Sequence, residues 1–295
     1  MNGDSEPPSG VVAVNALQFM DSGASSEPAR TRVVIEDALT LDVEGVGTYT
    51  LMWTPTAAHV EAHGFTLEDG VLGGGERPEG LALALGFALS EGLIGALDDI
   101  RSVAVCADDA RVVRVQLYQP EQLRVNRRNV VINSSCGICG PREILEDNAL
   151  ALDPVGRSLF LVSTGLPALM AQMREQQLIF HETGGSHAAA IFDSDGKVLA
   201  VAEDLGRHNA LDKAMGMVLL ERGDLAGCGV VLSSRLSLEM VLKAVRGGLE
   251  VMLAVSAPTS LAIEVADRFG VTLCGFVRDD RATVYTHAQR IRFPV

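Results

Sequence analysis

The chain has 295 residues, 47% of them hydrophobic and 21% charged, which is enough apolar sequence for one large core or two smaller ones. Aromatic residues make up only 4%, so the core must rest on Ala, Val, Leu and Ile. A net charge of −14 repels phosphate backbones and argues against nucleic-acid binding, while leaving room for a local basic pocket that takes one anionic cofactor.

No uninterrupted apolar run of membrane-spanning length appears, so no membrane span is expected. The opening MNGDSEPPSG carries acids where a signal peptide needs positive charge, and the expected location is the cytoplasm. Five cysteines are too few and odd in number for a disulfide framework.

Residues 1–30, rich in Ser, Gly, Pro and acid, read as a disordered tail. Residues 31–125 read as a small α+β domain. It opens with a strand meander over 32–53 and an irregular stretch over 54–80 whose GGG run lacks the Lys-Ser/Thr pair of a phosphate loop. A helix over LALALGFALSEGLI (81–94) and two strands within 102–118 complete it. Residues 126–150 form a linker carrying CGICG and a short helix over PREILEDNAL. From 151 to 295 the pattern becomes an ordered alternation. A helix over about 167–179 is followed by a hairpin around D-S-D-G, and then helices and strands alternate to VTLCGFV. That alternation predicts an α/β domain with a mostly parallel sheet covered on both faces. Ligands of such sheets gather beyond the carboxyl ends of the strands.

Two cysteines three apart, each followed by glycine, stand at Cys136 and Cys139. Zinc binding, a dithiol–disulfide couple and group transfer on a thiolate are all open to such a pair. Pro141 suits the first position of a helix, and Cys139 stands just before it, where unpaired amides favour a thiolate. Arg124, Arg127 and Arg128 lie upstream and act in the same direction. Zinc needs four ligands, and Cys106, Cys228 and Cys274 are single and sit in apolar strand sequence, where cysteine behaves as a small hydrophobe. No structural metal is therefore expected.

Two further stretches are dense in polar groups beside strands. In AEDLGRHNALDK, Arg207, His208 and Asn209 fall at a helix start, with Asp212 and Lys213 one turn in. In SSRLSLE, Arg235 enters another helix. Helix N-termini suit anions. GFVRDDRATVYTH closes the last strand with Arg278 and Arg281 around two acids.

Taken together, LALALGFALSEGLI, CGICG, TGGSHAAA, EDLGRHNALDK, SSRLSLEMV, SAPTSLAIEVA and GFVRDDRATVYTH resemble the FdhD family over roughly residues 32–290. These are sulfur carrier proteins needed for formate dehydrogenase. Two features depart from the family pattern: the long 56–80 stretch, and SSRLS where SGR-type sequence is usual. The resemblance implies a C-terminal domain similar to the three-layer cytidine deaminase fold, with a mixed, mostly parallel sheet. The H-x-E and P-C-x-x-C motifs of zinc deaminases are absent from the matching helix starts, so deaminase chemistry is not expected.

The resemblance further implies that the protein takes sulfur from a cysteine desulfurase as a persulfide on Cys136. It then passes the sulfur to a molybdenum or tungsten bis-guanine-dinucleotide cofactor before that cofactor enters the formate dehydrogenase catalytic subunit. Electrostatics alone favours Cys139 as the thiolate. Phe276, Val277, Arg278, Asp279, Asp280 and Arg281 match the family's cofactor-binding segment. His208, Asn209, Arg235, Gly184 and Gly185 are candidates added from the residues themselves. A homodimer is also implied. The alternative function is a cofactor-holding chaperone that carries no sulfur.

Overall fold

The computed structural model describes residues 7–20, 23, 25–56, 64–65, 78–106, 108–122, 131–132 and 152–294. Cys136, Cys139, the upstream arginines and the short helix expected over 141–150 lie outside the described residues. No helix among the described residues is long and apolar enough to cross a membrane.

Strands β1 (Val11–Met20) and β2 (Ser25–Val34) pair antiparallel over their full length. Over residues 11–20 and 25–30 this corrects the reading of a disordered tail. The acids and prolines that set the composition lie at both ends of VVAVNALQF, and that segment carries the β-branched residues a strand prefers.

The chain then enters a mixed sheet. Strands β3 (Asp37–Val43) and β4 (Gly47–Trp53) form a hairpin. Strand β5 (Gly64–Phe65), β6 (Ile100–Val105), β7 (Val112–Leu117) and β8 (Val131–Ile132) complete the order β5-β6-β7-β3-β4-β8. Among the described residues of the stretch expected to be irregular, 54–80, there is one short strand, β5, which pairs with β6. In β3 and β4, Leu39, Leu41, Val43, Tyr49, Leu51 and Trp53 alternate inward, the two-residue period of a half-buried strand.

Helix α1 (Glu79–Ser90) is buried from Gly80 to Ser90. A helix apolar all round has no solvent face, and α1 is accordingly covered by a second helix as well as by this sheet.

Strand β9 (Leu161–Val162) and helices α2 (Leu166–Glu175) and α3 (Leu178–Thr183) follow. The single helix expected over 167–179 is thus two, broken at Gln176 and Gln177. Beyond them a second sheet is built from β10 (His187–Phe192), β11 (Val198–Asp204), β12 (Gly229–Leu232), β13 (Val251–Ala254), β14 (Thr272–Gly275) and β15 (Thr283–Val284), in the order β11-β10-β12-β13-β14-β15. Helices α4 (Arg207–Arg222), α5 (Leu238–Arg246) and α6 (Ser260–Phe269) connect its strands. Strand β16 (Ile291–Arg292) returns to pair with β9.

The second sheet is mixed, as the resemblance implies, but it is not mostly parallel. Only β12–β13 and β13–β14 run parallel, while the β10–β11 hairpin, the β10–β12 pair and β15 are antiparallel. A hairpin needs no crossover helix, so antiparallel strands were added at both flanks of the parallel centre. The sheet's two faces serve two cores. Ala189, Ile191, Val230, Leu232, Met252 and Ala254 face the larger one, shared with α1, α4 and the first sheet. Ala188, Ala190, Phe192, Val231, Val251 and Leu253 face the smaller one, closed by α2.

The two sheets are joined through α1 and α4, which lie antiparallel and almost touching. A β-carbon built on Gly86 would stand 1.7 Å from the Asp212 carbonyl oxygen, and one on Gly216 would stand 1.8 Å from the Ala82 oxygen. Only glycine permits that backbone approach.

Candidate functional site

Strands β12, β13 and β14 end at one edge of the second sheet, where β11 also ends and β10 begins. The edge is knitted together by its loops. The Ser233 hydroxyl accepts from the Ala188 amide (2.9 Å), and the Ser233 amide donates to the Ala188 carbonyl (3.0 Å). The Thr259 amide donates to Leu236, and the Phe276 amide to Ser256. Four of the segments singled out in the sequence, 183–187, 204–209, 233–239 and 275–281, therefore converge here.

At the β11 end, two adjacent carboxylates point in different directions. Glu203 accepts from the Ile179 and Phe180 amides (2.8 and 2.9 Å) and from the Ser186 hydroxyl (2.7 Å), which anchors α3 and the TGG loop. Asp204, fully buried, accepts from the Thr54 amide (3.0 Å), the Gly206 amide (2.9 Å) and the Asn209 side chain (3.1 Å). Lys213 lies 2.9 Å from it. The Lys213 ammonium also meets Glu79 at 3.0 Å, donates to the Thr54 and Glu203 carbonyls (2.5 and 3.1 Å) and stands 4.8 Å over the Trp53 ring. The polar run EDLGRHNALDK is thus largely a clamp that fixes the end of β4 and the start of α1 against α4.

Asn209 belongs to that clamp and not to an open ligand face. It is buried, and its amide donates to Met52 and Asp204, which corrects its reading as a cofactor contact. Val277 needs the same correction. Its side chain is wholly buried in the smaller core and its amide bonds the Ala254 carbonyl.

The other candidates stay at the rim. His208 pairs with Glu239 at 2.9 Å, linking the starts of α4 and α5. Arg235 is exposed. Gly184 takes the left-handed conformation (φ +64°) that ends α3, and Gly185 follows it in the open. Phe276 also has positive φ (+54°), a costly conformation for an aromatic residue, and is exposed. Arg278 is tied down, donating to the Val255 and Val277 carbonyls (2.7 and 3.0 Å), and its amide closes a turn onto Arg281 (2.8 Å). Asp279, Asp280 and Arg281 project into solvent.

One further residue at this edge, His187, is not a site candidate in the sequence reading, and it stands beside Arg207 of the α4 start. His187 opens β10 directly opposite Asp204, and its neighbour Arg207 begins α4 with a buried Nε that has no hydrogen-bond partner among the described residues. In the sequence His187 looks like one more strand residue, and only strand pairing brings it beside Arg207. Burial lowers the His187 pKa first, with the positive charges of Arg207 and His208 acting in the same direction. The imidazole is therefore neutral at neutral pH.

A histidine whose folded pKa lies below the unfolded value binds its proton more readily in the unfolded chain. Stability is thus full above about 6.5 and is lost as pH falls below it. Urea unfolding between pH 7 and 5 is expected to show this loss, and His187→Gln to flatten it. An unchanged slope in the variant would assign the loss to other groups.

A family model described as the FdhD/NarQ family matches residues 76–292. The chain belongs to this family. Among FdhD/NarQ relatives it is 41% identical over 211 residues to the sulfur carrier protein FdhD of Sulfurisphaera tokodaii, covering 71% of this chain and 79% of that protein. It is 38% identical over 286 residues to the sulfur carrier protein FdhD of Bordetella bronchiseptica, covering 95% and 93%. In fold it is similar to the crystal structure of a putative formate dehydrogenase accessory protein from Desulfotalea psychrophila. The TM-score is 0.70 at 21% identity, over 96% of this chain and 99% of the other.

Proposed function

We propose that this protein is a sulfur carrier required for formate dehydrogenase activity. The observation that carries the reading is FdhD/NarQ membership, with sulfur carrier proteins matched along almost the whole chain. In this reading the protein works in the cytoplasm, where thiols stay reduced. The cytidine-deaminase-like architecture that the family resemblance implies carries no deaminase chemistry in this reading, because neither zinc motif stands at the helix starts of the second sheet.

The chemistry balances without an external oxidant. The Cys136 thiolate attacks the outer sulfur of the desulfurase's persulfide, the donor's S–S bond breaks, and the donor cysteine leaves as thiolate. Delivery of that sulfur as sulfide needs two electrons. Cys139 supplies them by attacking the Cys136 sulfur, which releases hydrosulfide and leaves a Cys136–Cys139 disulfide. A cellular thiol reductant then resets the pair. The recipient is a molybdenum bis-guanine-dinucleotide cofactor, held as substrate on its way to the formate dehydrogenase catalytic subunit.

Residues at the sheet edge have the chemistry for such a substrate. Exposed Arg235 and Arg281 and the Arg207 guanidinium suit phosphates, the neutral His187 can exchange hydrogen bonds, and the exposed Phe276 ring offers a stacking face for a base. Strand β8 runs parallel to β4, whose far end is held by Asp204 through Thr54.

Intact-protein mass after incubation with a cysteine desulfurase and cysteine tests the reading. Wild type is expected to gain one sulfur atom that reductant removes, and Cys136→Ala none. No gain on wild type while the donor itself is persulfidated would leave the cofactor-holding chaperone instead.

A further inference from the structure

The second sheet ends on one side at β11, which among the described residues pairs with β10 alone. Charge or proline usually guards such an open edge, and over Val198–Ala202 the sequence VLAVA has neither. The edge is recessed. Residues 199–202 form the floor of a cavity of about 530 Å³, with Pro78 and Ala82 of the α1 end on one side and Met217 and Leu220 of α4 on the other. Ligand sites have volumes of about 300–1,000 Å³. The cavity lies along β11, to the side of the sheet end where the polar segments gather.

The phase of the ladder shows which backbone groups face it. The Ser233 amide donates to the Ala188 carbonyl (3.0 Å), so Ala188 directs its groups to β12, and alternation directs those of Ala189 and Ile191 to β11. Their partners there are Ala202 and Ala200. Val201 lies between these two and turns its amide and carbonyl away from β10, toward the cavity. Glu203 follows the same phase, and its carbonyl accepts from Lys213 (3.1 Å). Among the described residues the Val201 backbone has no such partner. A free amide and a free carbonyl on one edge residue are the pair of groups that an added strand engages.

We infer that this cavity is a docking groove for one extended segment of a partner protein, which adds to β11 as a strand and alternates apolar with polar residues, a basic one among them. The outward Val201 groups match main chain. The walls of α1 and α4 beside β11 obstruct a folded sheet edge, a second copy's included, whereas a single strand has no such bulk. Alternate side chains of an added strand turn to one face, where Ala82, Met217 and Leu220 offer apolar contacts. Among the described residues the charged side chains on the lining are both carboxylates. Glu79 is held by Lys213 at 3.0 Å, and Glu221 is exposed. The net charge of −14 also favours a cationic partner. The groove takes no part in the sulfur chemistry proposed above.

The probe is a fluorescein-labelled octapeptide of alternating valine and threonine with a lysine at each end, titrated with the full chain and followed by fluorescence anisotropy. Saturable binding is expected, weakened about tenfold or more when glutamate replaces the lysines. N-methylation at the valines in one peptide, and at the threonines in another, blocks one or the other edge of the strand. Only one of the two is expected to weaken binding, by about tenfold, the worth of a hydrogen bond. On the protein, Val201→Pro removes the outward amide and spares the β10 ladder. Met217→Arg sets a bulky cation on an exposed wall position, so it keeps the test open if the proline variant does not fold. Each is expected to weaken binding about tenfold, and Met217→Arg to leave the thermal unfolding profile unchanged. Absence of saturable binding to wild type overturns the inference. So does equal binding of both methylated peptides, which would make the groove a site for apolar side chains without strand pairing. Unchanged binding to Met217→Arg would put the peptide elsewhere, and a changed oligomeric mass of that variant by light scattering would put a second copy in the groove; either result overturns it as well.

Discussion

Gly216→Val is expected to cost about 3 kcal/mol or more of folding stability, and Gly216→Ala to destabilise as well. The sign is what makes the test sharp. On a solvent-facing helix surface, Gly→Ala gains about 1 kcal/mol from helix propensity. Here the new β-carbon would stand 1.8 Å from the Ala82 carbonyl oxygen, and the one on Gly86 would stand 1.7 Å from that of Asp212. Both obstacles are backbone of a neighbouring helix and cannot rotate away as a side chain can. Relief requires α1 and α4 to separate, which opens the interface between the two sheets. Urea unfolding of wild type, Gly216→Ala, Gly216→Val and Gly86→Ala measures this. An alanine variant at least as stable as wild type would show that the helices do not meet there.

Lys213→Met is expected to cost about 3–5 kcal/mol, the usual penalty for removing one partner of a buried ion pair. The ammonium is fully buried, as is Asp204, and Glu79 is nearly so. Methionine keeps most of the volume and the contact with Trp53 but leaves the carboxylates without their cation. The double variant Lys213→Met/Asp204→Asn is expected to recover part of the loss, because it strands less charge. Chemical denaturation of the single and double variants decides the matter. Additive losses would mean that the two residues are not coupled.

A second buried lysine repeats the device. Lys243 bonds Asp212 (2.9 Å), Glu91 (2.7 Å) and the Ser90 hydroxyl (2.7 Å), and lies 5.4 Å from the Phe87 ring. Burial works against its charge, and Asp212 and Glu91 outweigh burial, so its pKa is raised.

The strand–helix alternation after residue 187 was legible because glycines and polar turns punctuate it. Gly223 and Gly270, both left-handed, close α4 and α6 where the sequence changes pattern. Strand direction was not legible. Periodicity identifies a buried strand without saying which way its neighbour runs, and the hairpin strands at the flanks made the sheet mixed.

The candidate site was half legible. The residues of the sheet edge were found because they crowd helix starts. Asn209, Asp212 and Lys213 misled because polar side chains near a helix N-terminus look solvent-facing or ligand-facing. Their direction depends on what covers α4, and the cover is α1 and the first sheet, from more than a hundred residues upstream. His187 was missed for the converse reason, since nothing within its strand marks it and its partners come from α4.

The near-contact of α1 with α4 also has a temporal side. A helix apolar on every face is made early in the chain, and its cover, residues 207–222, follows only after much further synthesis. At ordinary translation rates that gap is on the order of ten seconds. During it the LALALGFAL segment has only the first sheet to shelter against. Burial of the second face of α1 is therefore a long-range docking event that waits for residues made much later, and until then that face is apolar surface open to solvent.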